Sequence, residues 1–364
     1  MEDNDNYWVK ATFFILLFLG VIVGFAILKL LSSVLQPIGV AVLLAFLFFP
    51  IVTKMSKKLH IPFILGVIIV YILFFGVFFA ISNILLASVK SIIASLPQYQ
   101  ERFSDIYEKI SSSIMNTESK YLTFFQFDKN QSFFENVQGL FNFFPTMKKF
   151  AVGFTGFLYS FLKSLFIVIL FSLFLLAEMN LTNRKIALAL SRKNRMRMER
   201  IMIKIVSEVT RYISIKFIVS VLTGIFVFLA ALVVGMDFPL VWGFIAFIMN
   251  FIPTFGSIIS WGVTVLFSLI QFYPSPFPIV FITLSVLLVN MLIGNVLEPK
   301  IEGENLGISP FVILVSLSLW GWLWGFVGLI LSVPLTVIVK IVCENISFLH
   351  PIAIFIGSKR STSH

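Results

Sequence analysis

Polar side chains that could contact a solute are few in the C-terminal half of the chain, and three lie in one apolar segment. Asn290, Asn295 and Glu298 occur among residues that are otherwise apolar. In a helix, Asn295 and Glu298 share a face, and Asn290 lies about 40° from it. Amides and carboxylates form hydrogen bonds, so this stripe predicts contact with solvent or with a bound solute. A second interpretation pairs Glu298 with Lys300 at the end of the segment, and in both interpretations Pro299 ends the helix.

A helix break is expected near this segment, at Asn250, Pro253 and Gly256. These residues interrupt a stretch that is apolar from 238 to 272. Proline lacks a backbone donor and glycine permits left-handed geometry, so carbonyl and amide groups become free at the break. Free backbone groups in apolar surroundings are tolerated where they are buried in protein or line a watery cavity. The stretch fits either two short helices or a hairpin with its tip at 253–256.

A second break is expected at 319–328, within residues 305–339, which carry no formal charge. Gly321, Gly325 and Gly328 follow at steps of four and three, a spacing that permits close helix packing. Two interpretations stay open: the tip is a functional element, or the segment is a packed helix pair with an aromatic belt. Two interrupted segments in comparable positions are typical of secondary transporters.

These segments must lie in a membrane. Between Lys216 and Glu298 the only formal charge is Asp237, and the whole chain of 364 residues is 59% hydrophobic and 12% charged. Soluble domains contain about 25% charged residues. Charged side chains are costly in hydrocarbon, whereas about 20 apolar residues suffice to cross it as a helix. The composition therefore predicts an integral membrane protein.

The net charge of +10 comes mainly from one segment, which predicts the orientation of the chain. Residues 179–216 contain ten lysines and arginines against two glutamates. Basic loops stay preferentially in the cytoplasm, so we expect this segment there; binding to nucleic acid or to anionic lipid is the alternative. Three lysines within 54–58 place the turn after the second span in the cytoplasm as well. The N-terminus is then cytoplasmic, and residues 87–150 are external.

The predicted fold is an all-α polytopic membrane protein with about eight membrane-embedded helical segments, two broken or re-entrant hairpins, and an external helical insertion. In the insertion, apolar residues recur at steps of three and four, which indicates an amphipathic helix, and Pro97 is expected to mark a kink or a boundary. The predicted divisions are a three-span segment (1–86), the external insertion (87–150), a span (151–178), a basic cytoplasmic loop (179–216), a C-terminal membrane domain with broken helices (217–345), and a cytoplasmic tail (346–364).

Three stretches of the sequence resemble the signature stretches of the autoinducer-2 exporter family, also called the PerM permease family. They are Asn250-Phe-Ile-Pro253-Thr-Phe-Gly256, Gly294-Asn295-Val-Leu-Glu-Pro299-Lys-Ile-Glu-Gly303-Glu-Asn-Leu-Gly307-Ile-Ser-Pro310, and Trp320-Gly321-Trp-Leu-Trp-Gly325-Phe-Val-Gly328-Leu-Ile-Leu-Ser332-Val-Pro334. The resemblance implies that Pro253 and Gly256 form the first break. It assigns Asn295, Pro299, Gly303, Gly307 and Pro310 to a central loop, and Gly321, Gly325, Gly328 and Pro334 to the second break.

The resemblance implies a permease that moves a small polar solute, such as the quorum-sensing signal autoinducer-2, out of the cell. No G-x-x-x-x-G-K-[ST] run occurs in the sequence, so transport by this chain alone is expected to be passive or ion-coupled, with Na⁺ and H⁺ as candidate ions. The alternatives are a sodium/proton antiporter and a non-transporting envelope scaffold. Asp237, Glu298 and Glu344 all lie near predicted span ends, which favours solute export over ion exchange.

An intramembrane enzyme is not expected. Such an enzyme needs a nucleophile with a base, paired carboxylates or metal ligands at membrane depth. Lys163 and Glu178 lie at opposite ends of the fourth span, about 22 Å apart along a helix, so they cannot meet within it. The three histidines are scattered, and Cys343 is the only cysteine, so neither a metal site nor a cofactor nor an intramolecular disulfide is expected.

The expected location is the bacterial inner (cell) membrane, with several spans and both termini in the cytoplasm. The expected partners are the lipid bilayer, the small polar solute and a coupling Na⁺ or H⁺, and assembly with further copies of the chain stays open. Nucleic acid is not expected as a partner, because the basic residues belong to a membrane-flanking segment.

Overall fold

A computed structural model of the chain describes residues 2–115, 163–178, 192–302 and 307–357, together with single residues and pairs between 149 and 160. These residues are almost entirely helical, and among them β structure is limited to one bridge between Ile308 and Gly357. The predicted all-α class is therefore confirmed. Gly303 and most of the predicted insertion beyond residue 115 lie outside the described residues.

Among the described residues, the first three helices follow one another with short connections, and so do the fifth to the eighth. In chain order the helices are α1 (Glu2–Leu30), α2 (Ser32–Leu59), α3 (Phe63–Met115), α4 (163–178), α5 (Arg192–Val233), α6 (Pro239–Met249), α7 (Phe255–Phe272), α8 (Pro276–Asn290), a π-helix (Met291–Leu297), α9 (Glu298–Glu302), α10 (Pro310–Asn345), a 3₁₀ turn (Ser347–Leu349) and α11 (His350–Ile356).

Six of the described helical segments are long and apolar enough to cross a membrane. They are Ser32–Leu59, Phe63–Ser95, Met196–Val233, Phe255–Phe272, Pro276–Ile301 and Pro310–Asn345. Since a helix of about 20 residues spans the hydrocarbon core, the first five segments have the required length or nearly so, and the sixth is divided into two arms at Gly325. The chain is thus a multi-pass membrane protein, and the number of eight embedded segments stays a prediction.

The chain forms two compact units. The first contains residues 1–71, 164–215 and 302–364, and the second contains residues 72–163 and 216–301. Two of the four boundaries fall well inside α3 and α5, so each of these helices contributes one part to each unit, and the other two fall at the start of α4 and near the end of α9.

In the first unit, α10 folds back on itself at Gly325. The backbone of Gly325 has φ 59° and ψ −137°, which is not helical and which glycine adopts without a Cβ penalty. Ser316 Oγ, in the first arm, donates to the Ser332 carbonyl at 3.1 Å and lies 2.5 Å from Thr336 Oγ1, in the second arm. The apolar segment is therefore an antiparallel helical hairpin folded at a glycine, as its sequence predicts.

In the second unit, α5 to α8 pack around an apolar core. Its buried members include Val227 on α5, Trp242 on α6, Phe267 on α7 and Ile282 on α8. The α5 and α6 backbones approach closely, since a Cβ added at Gly224 would lie 2.8 Å from the Gly243 carbonyl oxygen. The core holds the helices whose ends and faces form the candidate site.

Pro97 neither ends nor divides its helix. It lies inside α3, which continues from the third span to Met115. Of the two alternatives at Pro97, the boundary is therefore wrong, and the kink stays a prediction. The amphipathic pattern on both sides of the proline favours continued helix, and a proline within a long helix costs one hydrogen bond without necessarily ending it.

The basic segment 179–216 is not wholly a loop, because α5 is already helical at Arg192. Buried apolar residues such as Ile205 and Val209 continue the helical pattern into the span, so the charged residues from Arg192 onward lie on a helix that enters the membrane domain. The number of charges identifies the segment as basic, but it does not indicate that the segment is helical from Arg192 onward.

Pro299 does not end the helix either, which corrects both interpretations of this residue. The chain continues from α8 through the π-helix Met291–Leu297 into α9, which includes Pro299. In the π-helix, the N–H of Glu298 donates to the Ile293 carbonyl, five residues earlier. This wider turn shifts the carbonyls against which a proline ring would otherwise clash.

Candidate functional site

The candidate site is a cavity of about 510 Å³ in the second unit. It lies between α5, the turn after α6, the start of α7, and the π-helix after α8. Its polar lining consists of one cation, one anion, three amides and two hydroxyls, contributed by Lys216, Glu298, Asn250, Asn290, Asn295, Thr254 and Ser257. Sites for small molecules commonly enclose about 300–1,000 Å³ and combine apolar walls with a few polar groups.

An ion pair lies on the wall of this cavity. Lys216 Nζ is 2.5 Å from Glu298 Oε1, and the two side chains are only 6% and 15% exposed. Both residues belong to helices long and apolar enough to cross a membrane. Such a pair is costly to desolvate, and it survives when each charge compensates the other. Glu298 therefore pairs with Lys216, whereas Lys300, the partner in the second interpretation from sequence, is exposed.

The hairpin between α6 and α7 contributes its tip to the cavity. The N–H of Phe255 donates to the Pro253 carbonyl at 2.7 Å, and the intervening Thr254 has φ 62° and ψ −53°. This is the rare γ-turn with positive φ, a strained conformation for a β-branched residue. Strain of this kind is commonly found at functional sites.

Gly256 permits the return of the chain at this tip. A Cβ at this position would overlap the carbonyl oxygen of Met249, so the start of α7 lies directly against the end of α6. Next to it, Asn250 Nδ2 donates to Ser220 Oγ on α5 at 3.0 Å. The tip is thereby anchored to α5, four residues beyond Lys216.

Residues before, within and directly after the π-helix line the cavity. Asn290, Gly294, Asn295 and Glu298 all line it. Asn290 Nδ2 also donates to the Ser257 carbonyl at 3.3 Å, which links the end of α8 to the start of α7. Short π segments in α-helices often occur at functional sites. The polar stripe predicted from the sequence thus shares one cavity, and a helix of changed pitch presents it.

The remaining predicted site residues fall into two groups. Pro253 lines the cavity and Gly256 lies behind its tip, whereas Pro299 follows directly after Glu298. The others that the structure describes belong to the first unit and are not among the lining residues of this cavity; they are Gly307, Pro310, Gly321, Gly325, Gly328 and Pro334.

The tip of the α10 hairpin has its own surroundings in the first unit. Trp324 Nε1 donates to the Leu28 carbonyl at 3.1 Å, and Gln36 Nε2 donates to the Trp324 carbonyl at 3.3 Å. Lys29 Nζ lies 3.8 Å from the centre of a Trp322 ring, a cation–π contact. These bonds attach the tip to α1 and α2, and they satisfy a carbonyl that the helix break leaves free.

Sequence reasoning missed Lys216, Thr254 and Ser257 as lining residues. The charge pattern alone places Lys216 at the end of the basic loop. A signal was present, because Lys216, Ser220 and Thr223 recur at helical spacing at the start of an apolar run, and all three are buried. Within the described residues, no group of three histidine, cysteine or acidic residues could hold a metal ion.

Helices that can cross a membrane, two hairpins with broken tips, and a polar cavity within a membrane unit define a polytopic membrane protein suited to carrying a solute. The chain belongs to the AI-2E transporter family, because the sequence model of that family, described as "AI-2E family transporter", matches residues 12–348. It is accordingly a membrane transporter of that family.

Several bacterial transport proteins are similar in sequence to this chain, over most of its length or over part of it. A protein of Borreliella burgdorferi, provisionally named a transport protein, is 33% identical over 362 residues, which are 98% of this chain and 93% of the relative. A provisionally named transport protein of Haemophilus influenzae is 28% identical over 90% of each chain. The AI-2 transport protein TqsA of Escherichia coli (strain K12) is 36% identical over 154 residues, 42% of this chain and 44% of TqsA.

Proposed function

We propose that the chain is a permease that exports a small polar solute of the autoinducer-2 type, which it binds in the cavity of the second unit. The observation that carries this proposal is the lining of the cavity: a buried Lys216–Glu298 pair and three asparagines within a membrane domain. Polar groups are costly to bury in such a domain, and where they occur they commonly bind a solute or line its path.

The lining favours a solute without net charge. The charges of Lys216 and Glu298 cancel, so the cavity neither attracts nor repels an ion strongly. Asn250, Asn290 and Asn295 each offer a donor and an acceptor, which suits a solute rich in hydroxyl and carbonyl groups. Trp261 and Leu287 supply apolar wall. The similarity to TqsA, which is named an AI-2 transport protein, supports a solute of this kind.

Export follows from the orientation that the charges predict. With the basic segment before Lys216 in the cytoplasm, the cavity lies toward the cytoplasmic end of the second unit, where a solute made inside the cell would enter. Both termini are then cytoplasmic, and the membrane is the bacterial inner membrane. Flux down the solute gradient, or coupled to Na⁺ or H⁺, is compatible with a single chain without an ATP motor.

Sodium/proton exchange is the second candidate. Glu298 supports it, because a carboxylate only 15% exposed on a cavity wall at membrane depth is the kind of group that binds a coupling ion. Its pairing with Lys216 counts against it, since the ammonium group already occupies the position that a cation would take.

The test is transport by the purified full chain in liposomes. Loaded vesicles should release autoinducer-2, and Asn295→Leu should slow the initial rate per amount of folded protein. The matched control is Asn83→Leu, which changes an exposed asparagine of the second unit that does not line the cavity. A sodium-driven pH change without solute release would favour the antiporter. If the vesicles show neither solute release nor a sodium-driven pH change, the non-transporting scaffold is favoured.

A further inference from the structure

A row of hydroxyl groups begins at the cavity and continues along α7. Ser257 lines the cavity, and Ser260, Thr264 and Ser268 follow on the same face of the helix. With Gln271 they lie within an arc of about 80°, at about 100° per residue. The opposite face is apolar and exposed, with Ile259, Leu266 and Leu269. A membrane helix of this kind turns its polar face toward the protein interior.

The hydroxyl face is buried, and one of its groups lacks a partner. Ser260 is 2% exposed, and Thr264 and Ser268 are fully buried. Thr264 Oγ1 donates to the Ser260 carbonyl at 2.7 Å, and Ser268 Oγ to the Val265 carbonyl at 2.8 Å. Ser260 Oγ has no hydrogen-bond partner. A buried hydroxyl without a partner is unfavourable, so Ser260 marks a point at which the face is suited to contact something polar.

The far end of the row reaches a second polar cluster. Gln271 Oε1 accepts from the Asp237 N–H at 2.9 Å, and Tyr99 OH donates to Asp237 Oδ2 at 2.5 Å. Arg102 Nη1 donates to the Gln271 carbonyl at 2.8 Å. The pKa of the Tyr99 phenol is raised, mainly by burial and secondly by the hydrogen bond to Asp237. The phenol therefore stays a neutral donor. We call these residues the Asp237 cluster.

The distance between the two polar sites matches a large part of a membrane crossing. From Ser257 to Gln271 the helix rises about 21 Å at 1.5 Å per residue, against a hydrocarbon core of about 30 Å. On the predicted topology, the cavity lies at the cytoplasmic end and the Asp237 cluster at the external end.

We propose that the hydroxyl face of α7 is the outward half of the transport route: a face that becomes hydrated during transport and leads the solute from the cavity to the Asp237 cluster. The proposal rests on the proposed function, and it adds the path and its direction to the binding site. Hydroxyls suit such a face, because each can donate and accept a hydrogen bond. In the packed state, carbonyls of their own helix satisfy Thr264 and Ser268, whereas Ser260 is left for a polar contact.

Substituted cysteines test the hydration of this face without knowledge of the solute. Cys343, the single native cysteine, is replaced by alanine, and Ser260→Cys, Thr264→Cys and Ser268→Cys are made one at a time. Two controls are Leu266→Cys on the apolar face of α7 and Ser172→Cys, an equally buried hydroxyl position in the first unit. Each protein, in liposomes, is treated with a small water-soluble methanethiosulfonate, and the added mass is measured.

All three positions on the face should react at least about ten times faster than both controls, because only the thiolate reacts and apolar burial suppresses its formation. Rates equal to the controls at all three positions would overturn the proposal. Reaction at Ser260→Cys alone would confine water to the region of the cavity and would overturn it too.

Flux of autoinducer-2 provides the second measurement. Thr264→Val removes the hydroxyl and keeps the shape, so flux should fall about fivefold, the factor that corresponds to one lost hydrogen bond, whereas Thr264→Ser should keep it. Unchanged flux in Thr264→Val would contradict the route. If the unmodified chain shows no flux at all, the proposed function fails, and cysteine reactivity still decides whether this face is hydrated.

Discussion

At the scale of single residues, the Lys216–Glu298 pair explains how a charge persists in an apolar segment. Neither residue is stable there alone, because an unpaired buried charge is costly to desolvate. Lys216 Nζ and Glu298 Oε1 are 2.5 Å apart and both side chains are mostly buried, so each charge offsets the desolvation cost of the other. The pair is therefore a structural element as well as a part of the cavity wall, and experiments must separate the two roles.

We predict that Glu298→Gln destabilises the protein by about 3 kcal/mol, because it leaves the Lys216 ammonium buried without its counter-charge. The double variant Lys216→Met, Glu298→Gln should recover most of this loss while transport stays low. Unfolding by SDS in mixed micelles measures the stability, and vesicle flux measures transport. Full transport by the double variant would show that the pair serves stability alone.

Thr254 is the second residue for which stability and function are expected to diverge. Its φ of 62° costs about 1–3 kcal/mol for a side chain with a branched Cβ, and glycine would avoid that cost. After the entropy that glycine adds to the unfolded chain, Thr254→Gly should stabilise the protein by about 1 kcal/mol. Flux should decline, because the tip would lose its fixed geometry against the cavity. If unfolding in the same mixed micelles shows that Thr254→Gly is less stable than the unmodified chain, the backbone of Thr254 is not strained.

At the scale of helices, the sequence predicts those features that a residue type enforces. Proline and glycine predicted the turn at 250–256, and three glycines predicted the fold-back of α10, because each removes a donor or a Cβ at the point where the chain must bend. The π-helix at Met291–Leu297 has no such residue signature, and it overturned the expectation that Pro299 ends the helix.

Long-range pairing was likewise beyond the sequence. Periodicity places Glu298 on a face, but it cannot show that this face meets Lys216, 82 positions earlier in the chain. The nearest opposite charge along the sequence, Lys300, was therefore the plainer expectation. The helix start at Arg192 was hidden for a related reason, because charge dominated a segment whose apolar residues still recur at helical spacing.

The first hairpin offers a test with a matched control on one helix. Gly256→Ala would place a methyl group against the Met249 carbonyl and should destabilise the protein by about 1–3 kcal/mol, with loss of flux. Gly262, also on α7, has no atom near an added Cβ, so Gly262→Ala should stabilise slightly, by up to about 1 kcal/mol. Unfolding in mixed micelles compares them. Equal effects of the two substitutions would contradict the close approach at the tip.

At the scale of the whole molecule, the polar groups of the second unit separate into two ends. The cavity, with Lys216 and Glu298, lies at one end of α7, and the Asp237 cluster lies at the other. Tyr99 and Arg102, from the segment that the charge pattern predicts to be external, contact the Asp237 end. The contacts within this unit and the charge pattern therefore agree on which groups share a side.

This agreement leads to a prediction about orientation. Lys300, beyond the cavity, should face the cytoplasm, and Glu101, beside the Asp237 cluster, should face outward, because basic segments are retained inside the cell. Both side chains are exposed, so a cysteine at either position is available to reagents. In a chain carrying Cys343→Ala, an impermeant thiol reagent added to intact cells should label Glu101→Cys and reach Lys300→Cys only after the membrane is opened. The reverse pattern would place the cavity outside, and a solute bound there would then be a solute taken up by the cell.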